Sequence, residues 1–261
     1  MSLRPALLAA ALAVAPLAVP AALPAVARAQ TAAEQVATGD RERDLNPTSA
    51  LAHYEAALKA DPNDFDALTK ASYAAIAAGQ GAAGKDQQRA YYKQGEELAR
   101  RAIQVRPDAA EGHFVLATAL GRTAQTLGSR DKIRYASDVR TEALEALKYD
   151  PRHAGALHVM GMWNAEVMRL SGFSRFMAKN FLGGQVFASA SWNDAQRYLE
   201  QAVQIEPQRI THRLDLAQVY LDRGDKAKAR EQLDAIAAAP AREANDADYK
   251  RQAEALRSRA G

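Results

Sequence analysis

Four stretches of this chain end alike: ALKADP at Pro62, AIQVRP at Pro107, ALKYDP at Pro151 and AVQIEP at Pro207. Each closes one amphipathic run and precedes the next. Proline suits that place because it lacks the N–H a continuing helix needs, yet it tolerates a first helical turn. The separations are 45, 44 and 56 residues. A recurrence on this scale is the mark of a repeat array, in which each unit buries its apolar face only against its neighbours. The periodicity is helical throughout and no strand pattern appears, so the reading is all-α.

Within each unit the small and large residues recur in phase. Before the prolines come Ala50, Tyr54 and Ala57; Gly95, Ala99 and Ala102; Val139, Ala143 and Ala146; and Ala195, Leu199 and Ala202. After them, Leu157, Met160 and Gly161 recur as Leu216, Ala217 and Tyr220, the latter set continuing through Gly224, Ala229, Leu233 and Ile236. Small residues let paired helices approach and large ones fill the gaps between pairs. This pattern resembles the tetratricopeptide repeat. It implies a solenoid of helical hairpins, a right-handed superhelix, with units near 31–62, 65–107, 110–151, 154–207 and 210–240. The polar stretch 242–261 is then expected as a capping helix over the open end.

The N-terminus reads as an export signal. Arg4 is followed by a run without charge as far as Arg28, broken by Pro16, Pro20 and Pro24 and ending in Ala27-Arg28-Ala29. Small residues flanking a cut site are what signal peptidase requires, so cleavage is expected after Ala29 and a periplasmic location follows. The mature domain is then 30–261. With no cysteine in the chain, an exported form has no disulfides and its stability rests on packing. The formal charge is +3; losing Arg4 and Arg28 leaves 32 basic against 31 acidic residues, a net +1. Such a balance gives no electrostatic case for nucleic acid as a partner.

Catalytic and cofactor signals are weak. GQGAAGKD carries Gly79, Gly81, Gly84 and Lys85 in a phosphate-loop spacing, but a helix precedes it and Asp86 replaces the Ser or Thr that would hold magnesium. The five histidines, His53, His113, His153, His158 and His212, include no i, i+4 pair, so no metal is expected. His158 is expected to face the groove and hydrogen-bond there. No nucleophile motif is present, so the chain is read as a non-enzyme without cofactors.

One segment departs from the repeat. Residues 169–187, RLSGFSRFMAKNFLGGQVF, hold four of the six phenylalanines and no acid. If helical, Phe173, Phe176, Met177 and Phe181 share one stripe, with Arg175 and Lys179 towards the other side. The stripe fits either an extra helix packed on the array, or a lid over the groove, or a contact with a membrane or apolar ligand.

Around this insertion the likeness narrows. Ala119-Leu120-Gly121, Asp150-Pro151, His158, Gly161, Trp163, Glu166-Val167, Leu170-Ser171 and Phe181-Leu182-Gly183-Gly184 follow the pattern of the regulator-of-microtubule-dynamics family, which the chain resembles over roughly residues 65 to 240. The resemblance implies a tetratricopeptide scaffold without catalytic residues, acting by protein or membrane association. It does not imply action on microtubules for an exported chain. In such scaffolds the ligand-facing positions alternate with core positions on each first helix. Here they are Tyr73, Phe114, Thr118, Arg122, His158, Met162, Glu166 and Gln218, a set expected to be apolar with few charges. The expected function is a non-enzymatic cell-envelope scaffold whose concave groove binds a protein or peptide. The alternative is a carrier for a lipid or other apolar molecule, with residues 171–189 as its lid.

Overall fold

The structure, a computed structural model, describes residues 25–171 and 185–261. Among them are eleven α-helices, one short 3-10 helix and no strand. The α-helices are α1 (Ala25–Glu42), α2 (Pro47–Ala60), α3 (Phe65–Gly81), α4 (Lys85–Val105), α5 (Ala110–Gln125), α6 (Ser129–Tyr149), α7 (Ala154–Arg169), α8 (Trp192–Ile205), α9 (Ile210–Asp222), α10 (Lys226–Ala238) and α11 (Asp246–Ala260). The 3-10 helix, Gln185–Ser189, precedes α8. Consecutive helices pair as hairpins, α1 with α2 through α9 with α10, and α11 covers α9 and α10 at the end of the stack. This is the helical-hairpin solenoid expected. The expected cut after Ala29 falls inside α1, and Met1 to Pro24 lie outside the described residues. No helix among the described residues is long and apolar enough to cross a membrane.

The four recurring prolines do not open the next helix. Each directly follows a C-cap residue whose N–H closes the last helical bond: Asp61 to Ala57 at 3.0 Å, and Arg106 to Ala102, Asp150 to Ala146 and Glu206 to Ala202, each at 2.9 Å. Proline is well placed there, where the helix has no further use for an N–H. The next helix starts three residues later. Five of the hairpins' helices begin on side-chain caps: Asn46 Oδ1 accepts from Ser49 N at 3.2 Å, Asp64 Oδ1 from Ala67 N at 3.0 Å, His153 Nδ1 from Ala156 N at 3.1 Å, Ser191 Oγ from Asp194 N at 3.0 Å and Asp225 Oδ1 from Lys228 N at 3.1 Å. Each cap satisfies an N–H that the helix itself leaves free. Between α9 and α10 the chain turns through Gly224 at φ +81°, which only glycine adopts without strain.

The in-phase residues form the core. Ala50, Tyr54, Ala57, Ala99, Ala102, Ala143, Ala146, Ala195, Leu199 and Ala202 are all fully buried. The glycines of the series are points of close approach. A Cβ at Gly95 would stand 3.2 Å from Ser72 O, and one at Gly161 would stand 2.6 Å from Leu199 Cγ. The core runs as a series of clusters along the array instead of one centre. The second and third units reach their extra length by longer helices: α4 and α6 have 21 residues each, against 14 in α2 and α8.

Phe173, Phe176, Met177 and Phe181 lie outside the described residues. The far end of the same insertion is core. Phe187 is buried and stacks on Trp163, ring centroids 5.8 Å apart and planes 19° apart, while Trp163 Nε1 donates to Ala136 O at 2.7 Å. The segment expected as a lid, 171–189, is thus anchored in the core at Phe187. Asn164, where the repeat commonly has an aromatic, is buried because both ends of its amide are used. Its Nδ2 donates to Met160 O at 2.8 Å, and its Oδ1 accepts from Ser191 N at 3.1 Å, tying α7 to the start of α8.

Candidate functional site: a polar groove along the first helices

The first helices α3, α5, α7 and α9 stand side by side, with α11 completing the row. The row curves enough to meet itself. Arg209, at the start of α9, donates through Nη2 to the hydroxyl of Tyr73 on α3, although α5 and α7 stand between them. Gln80, near the end of α3, donates to the hydroxyl of Tyr249 on α11 at 2.8 Å. The side enclosed by this curve is the groove.

The eight expected groove residues occupy this row: Tyr73 on α3; Phe114, Thr118 and Arg122 on α5; His158, Met162 and Glu166 on α7; and Gln218 on α9. Seven of them are half-buried and Glu166 is exposed, whereas Ser72, Val115, Ala119, Leu157, Gly161 and Ala217 beside them are buried. They do not act alike. Phe114 packs over the start of α7, where a Cβ on Gly155 would collide with its ring, and its ring lies 4.6 Å from that of His153. Thr118 is satisfied within its own helix by Phe114 O at 2.9 Å. Met162 packs against the Ala165–Leu199–Leu216 cluster.

The eight positions, expected to be apolar with few charges, are bordered by charged groups from other positions. The eight positions are only those of the first-helix register, and helix ends and the C-terminal segment supply charge that the register omits. His158 Nε2 meets Asp215 at 2.7 Å, and the His158 and His212 rings lie 4.6 Å apart. His212 Nε2 meets Glu206 at 3.1 Å, and His153 Nε2 meets Glu111 at 3.0 Å. Burial holds His212 well below its usual value, at about 4, with the neighbouring His158 acting in the same direction and the bond to Glu206 opposing. It is therefore neutral near pH 7. With Nε2–H donated to Glu206, its Nδ1 is buried without a partner among the described residues. The same bond to His212 holds the Glu206 carboxyl below the ordinary range.

Arg209 ties this cluster to the C-terminal segment. Its Nε stands 3.2 Å from Glu243 Oε1 and its Nη1 3.6 Å from Glu206 Oε2. Burial raises the Glu243 carboxyl above its ordinary value, with Arg209 opposing. Burial likewise pushes the Tyr73 hydroxyl up to about 12. A second network closes the other end of the helices. Arg169 donates to Glu166 at 2.6 Å and to Asp222 at 2.7 Å, Gln218 donates to Asp222 at 2.8 Å, and Arg259 donates to Gln218 at 3.2 Å. Arg122 makes no hydrogen bond or ion pair among the described residues; its charge opposes the burial that raises the hydroxyls of Tyr92 and Tyr249.

Sequence reasoning misses Asp215, Glu206, Arg209, His212, Glu243 and Tyr249 as members of the site. Their partners lie 6 to 169 residues away, so local periodicity carries no sign of them. The glycine-rich GQGAAGKD is the end of α3 and its turn into α4, and Gly79 is there for packing, since a Cβ would stand 2.5 Å from the Tyr92 ring. Among the described residues no three acidic or imidazole groups are arranged to hold a metal. Two surface depressions, of about 370 and 250 Å3, open at Asn63–Arg101 and at Pro207–Pro240, and neither is lined by one of the eight groove residues.

The chain is similar to known proteins in sequence and in shape. A regulator of microtubule dynamics protein 1 from Bos taurus is 25% identical over 114 residues, which cover 42% of this chain and 34% of that protein. The match thus spans about a third of that relative's length. A thermophilic tetratricopeptide-repeat protein of Thermus thermophilus superposes with a TM-score of 0.54 at 21% identity, covering 89% of this chain and 99% of that one. The pilF protein of Pseudomonas aeruginosa superposes with a TM-score of 0.50 at 15% identity, covering 90% and 89%. At these identities the two structures speak for the fold alone. The family model described as regulator of microtubule dynamics protein 1-3 matches residues 29–261, nearly the whole chain, and the protein belongs to that family.

Proposed function

We propose that the protein is a non-enzymatic scaffold whose groove binds a segment of a protein or peptide partner. One observation carries the reading. A row of side chains with hydrogen-bonding and aromatic character, drawn from α3, α5, α7 and α9, is left half-exposed while its neighbours on the same helices are buried. A surface built this way places polar groups where a core would place apolar ones, as a recognition face does. The charge-free N-terminal run and the small residues at Ala27 and Ala29 support export, and hence a partner in the bacterial cell envelope. Action on microtubules, which the name of the Bos taurus relative describes, is not part of this proposal.

Site-specific photo-cross-linking in cells tests the reading. A photoreactive residue at Met162 or Gln218 is expected to trap one discrete protein, and one at the exposed Glu97 of α4 is expected to trap none. Equal trapping at all three positions, or trapping only at Glu97, overturns it.

A further inference from the structure

We infer that the C-terminal segment from Pro240 to Tyr249 is a built-in occupant of the groove, and that the partner displacing it is an acidic peptide segment. The inference deepens the scaffold reading and rests on it for the groove's role. The segment leaves α10, runs along the start of α9 and reaches α3. Its Glu243 lies on Arg209, which in turn holds Tyr73, and its Tyr249 accepts from Gln80. A Cβ placed on Gly81 would lie 4.0 Å from Asn245 Oδ1, so the segment passes close to the end of α3 as well. Asp246 shapes it for this path by accepting from the backbone N–H groups of Arg242 and Glu243 at 2.7 and 2.8 Å.

Three features mark this as a displaceable contact and not a permanent seam. First, the segment meets α3 through the ends of long side chains, directly in the Gln80–Tyr249 bond and indirectly through Arg209 between Glu243 and Tyr73, whereas true neighbours in the row pack helix on helix through alanine and leucine. Second, the contacts are polar and partly exposed, so water or a competing polar group can replace them. Third, the charges left behind match an acidic ligand. With Glu243 withdrawn, Arg209 keeps the Tyr73 hydroxyl but only one charged partner, Glu206 at 3.6 Å, and Arg122 has no ion-pair partner among the described residues. The nearby carboxylates are already committed, Asp215 to His158 and Glu206 to His212. An acidic side chain on Arg209 and an aromatic hydroxyl on Gln80 would reproduce what the segment does. A tethered occupant competes at an effective concentration on the order of millimolar. A free ligand's apparent affinity falls by the fraction of molecules whose groove is open.

The test uses the full chain and two measurements. Because the chain has no cysteine, Ala83→Cys and Ala247→Cys place a spin-label pair on the α3–α4 turn and on α11. The double variant Glu243→Ala/Tyr249→Phe removes the segment's two polar contacts while leaving the Tyr249 ring in its packing. The distance distribution is expected to be single and narrow in the parent and to broaden and lengthen in the double variant; no change overturns the occupant. The second probe is a fluorescent synthetic peptide copying residues 240–250, PAREANDADYK. It is expected to bind the double variant at least tenfold more tightly than the parent, and adding Arg209→Ala is expected to abolish that gain. Equal binding to both proteins, or none to either once the distance has lengthened, overturns the acidic partner. Since the distance measurement involves no external partner, the latch can fail while the scaffold reading stands, and the reverse.

Discussion

Replacing Gly161 by alanine sets two effects of similar size against each other, and the structure decides between them. Alanine in place of a mid-helix glycine removes backbone freedom from the unfolded chain and favours the helix by about 1 kcal/mol. Against this, the new Cβ would lie 2.6 Å from Leu199 Cγ, 3.0 Å from its Cδ2 and 3.2 Å from Ala195 O. Leu199 is fully buried and Ala195 O belongs to a helix, so neither neighbour is a loose end that can swing aside. Overpacking of this kind costs about 1–3 kcal/mol. The net expectation runs from near zero to a loss of about 2 kcal/mol, or a fall of up to roughly 8 °C in Tm for a chain of this length.

Gly121 on α5 supplies the control. A Cβ there meets nothing nearer than Val139 Cγ2 at 3.9 Å, an ordinary contact, so Gly121→Ala is expected to stabilise by about 0.5–1 kcal/mol. Urea unfolding followed by circular dichroism reads both variants under the same conditions. If Gly161→Ala proves as stable as Gly121→Ala, the claim that glycine is there to let α7 and α8 approach is refuted.

Burial depresses His212 to about 4, against an ordinary value near 6.5, so the unfolded chain takes up a proton between these values and the folded chain does not. Stability should therefore fall by about 3 kcal/mol as pH drops from about 6.5 to about 4. His212→Gln should remove that part of the slope, leaving the part due to carboxylates held low in the fold, such as Asp40 and Asp194; an unchanged slope in urea titrations at pH 7 and 4.5 would contradict the buried neutral imidazole. For export, N-terminal sequencing of protein recovered from the periplasmic fraction of a Gram-negative host should begin at Gln30. Recovery of an intact Met1 terminus in the cytoplasm would count against the signal reading.

The parts of the fold that are legible in sequence are those governed by neighbours within one helix or one hairpin. Ala195, Leu199 and Ala202 repeat every three or four residues because a single helix face is being buried, and a single helix face is visible in a linear string. The proline positions are legible for the same reason, though their role as the residue after a C-cap depends on where the last backbone bond falls. The site divides along the same line. Tyr73, Arg122, His158 and Gln218 can be placed from the register of the first helices. Arg209 and Glu243 cannot, because their partners are set by the curvature of the whole row, a sum of small rotations between hairpins that no local pattern records. Asn164 reads in sequence as a plain departure from the repeat, since its value lies in holding Ser191 across the insertion.

The insertion's anchoring has an optical consequence. The chain has two tryptophans, Trp163 and Trp192, and they stand on either side of the insertion. Trp163 lies under Phe187 with its indole N–H bonded to Ala136 O, while Trp192 opens α8 and packs on the third core cluster. Tryptophan emission from this protein therefore comes from one place in the array, the joint between α7 and α8. An event that lifts Phe187 from Trp163 would wet one indole and redden the spectrum, even while every other hairpin remained closed.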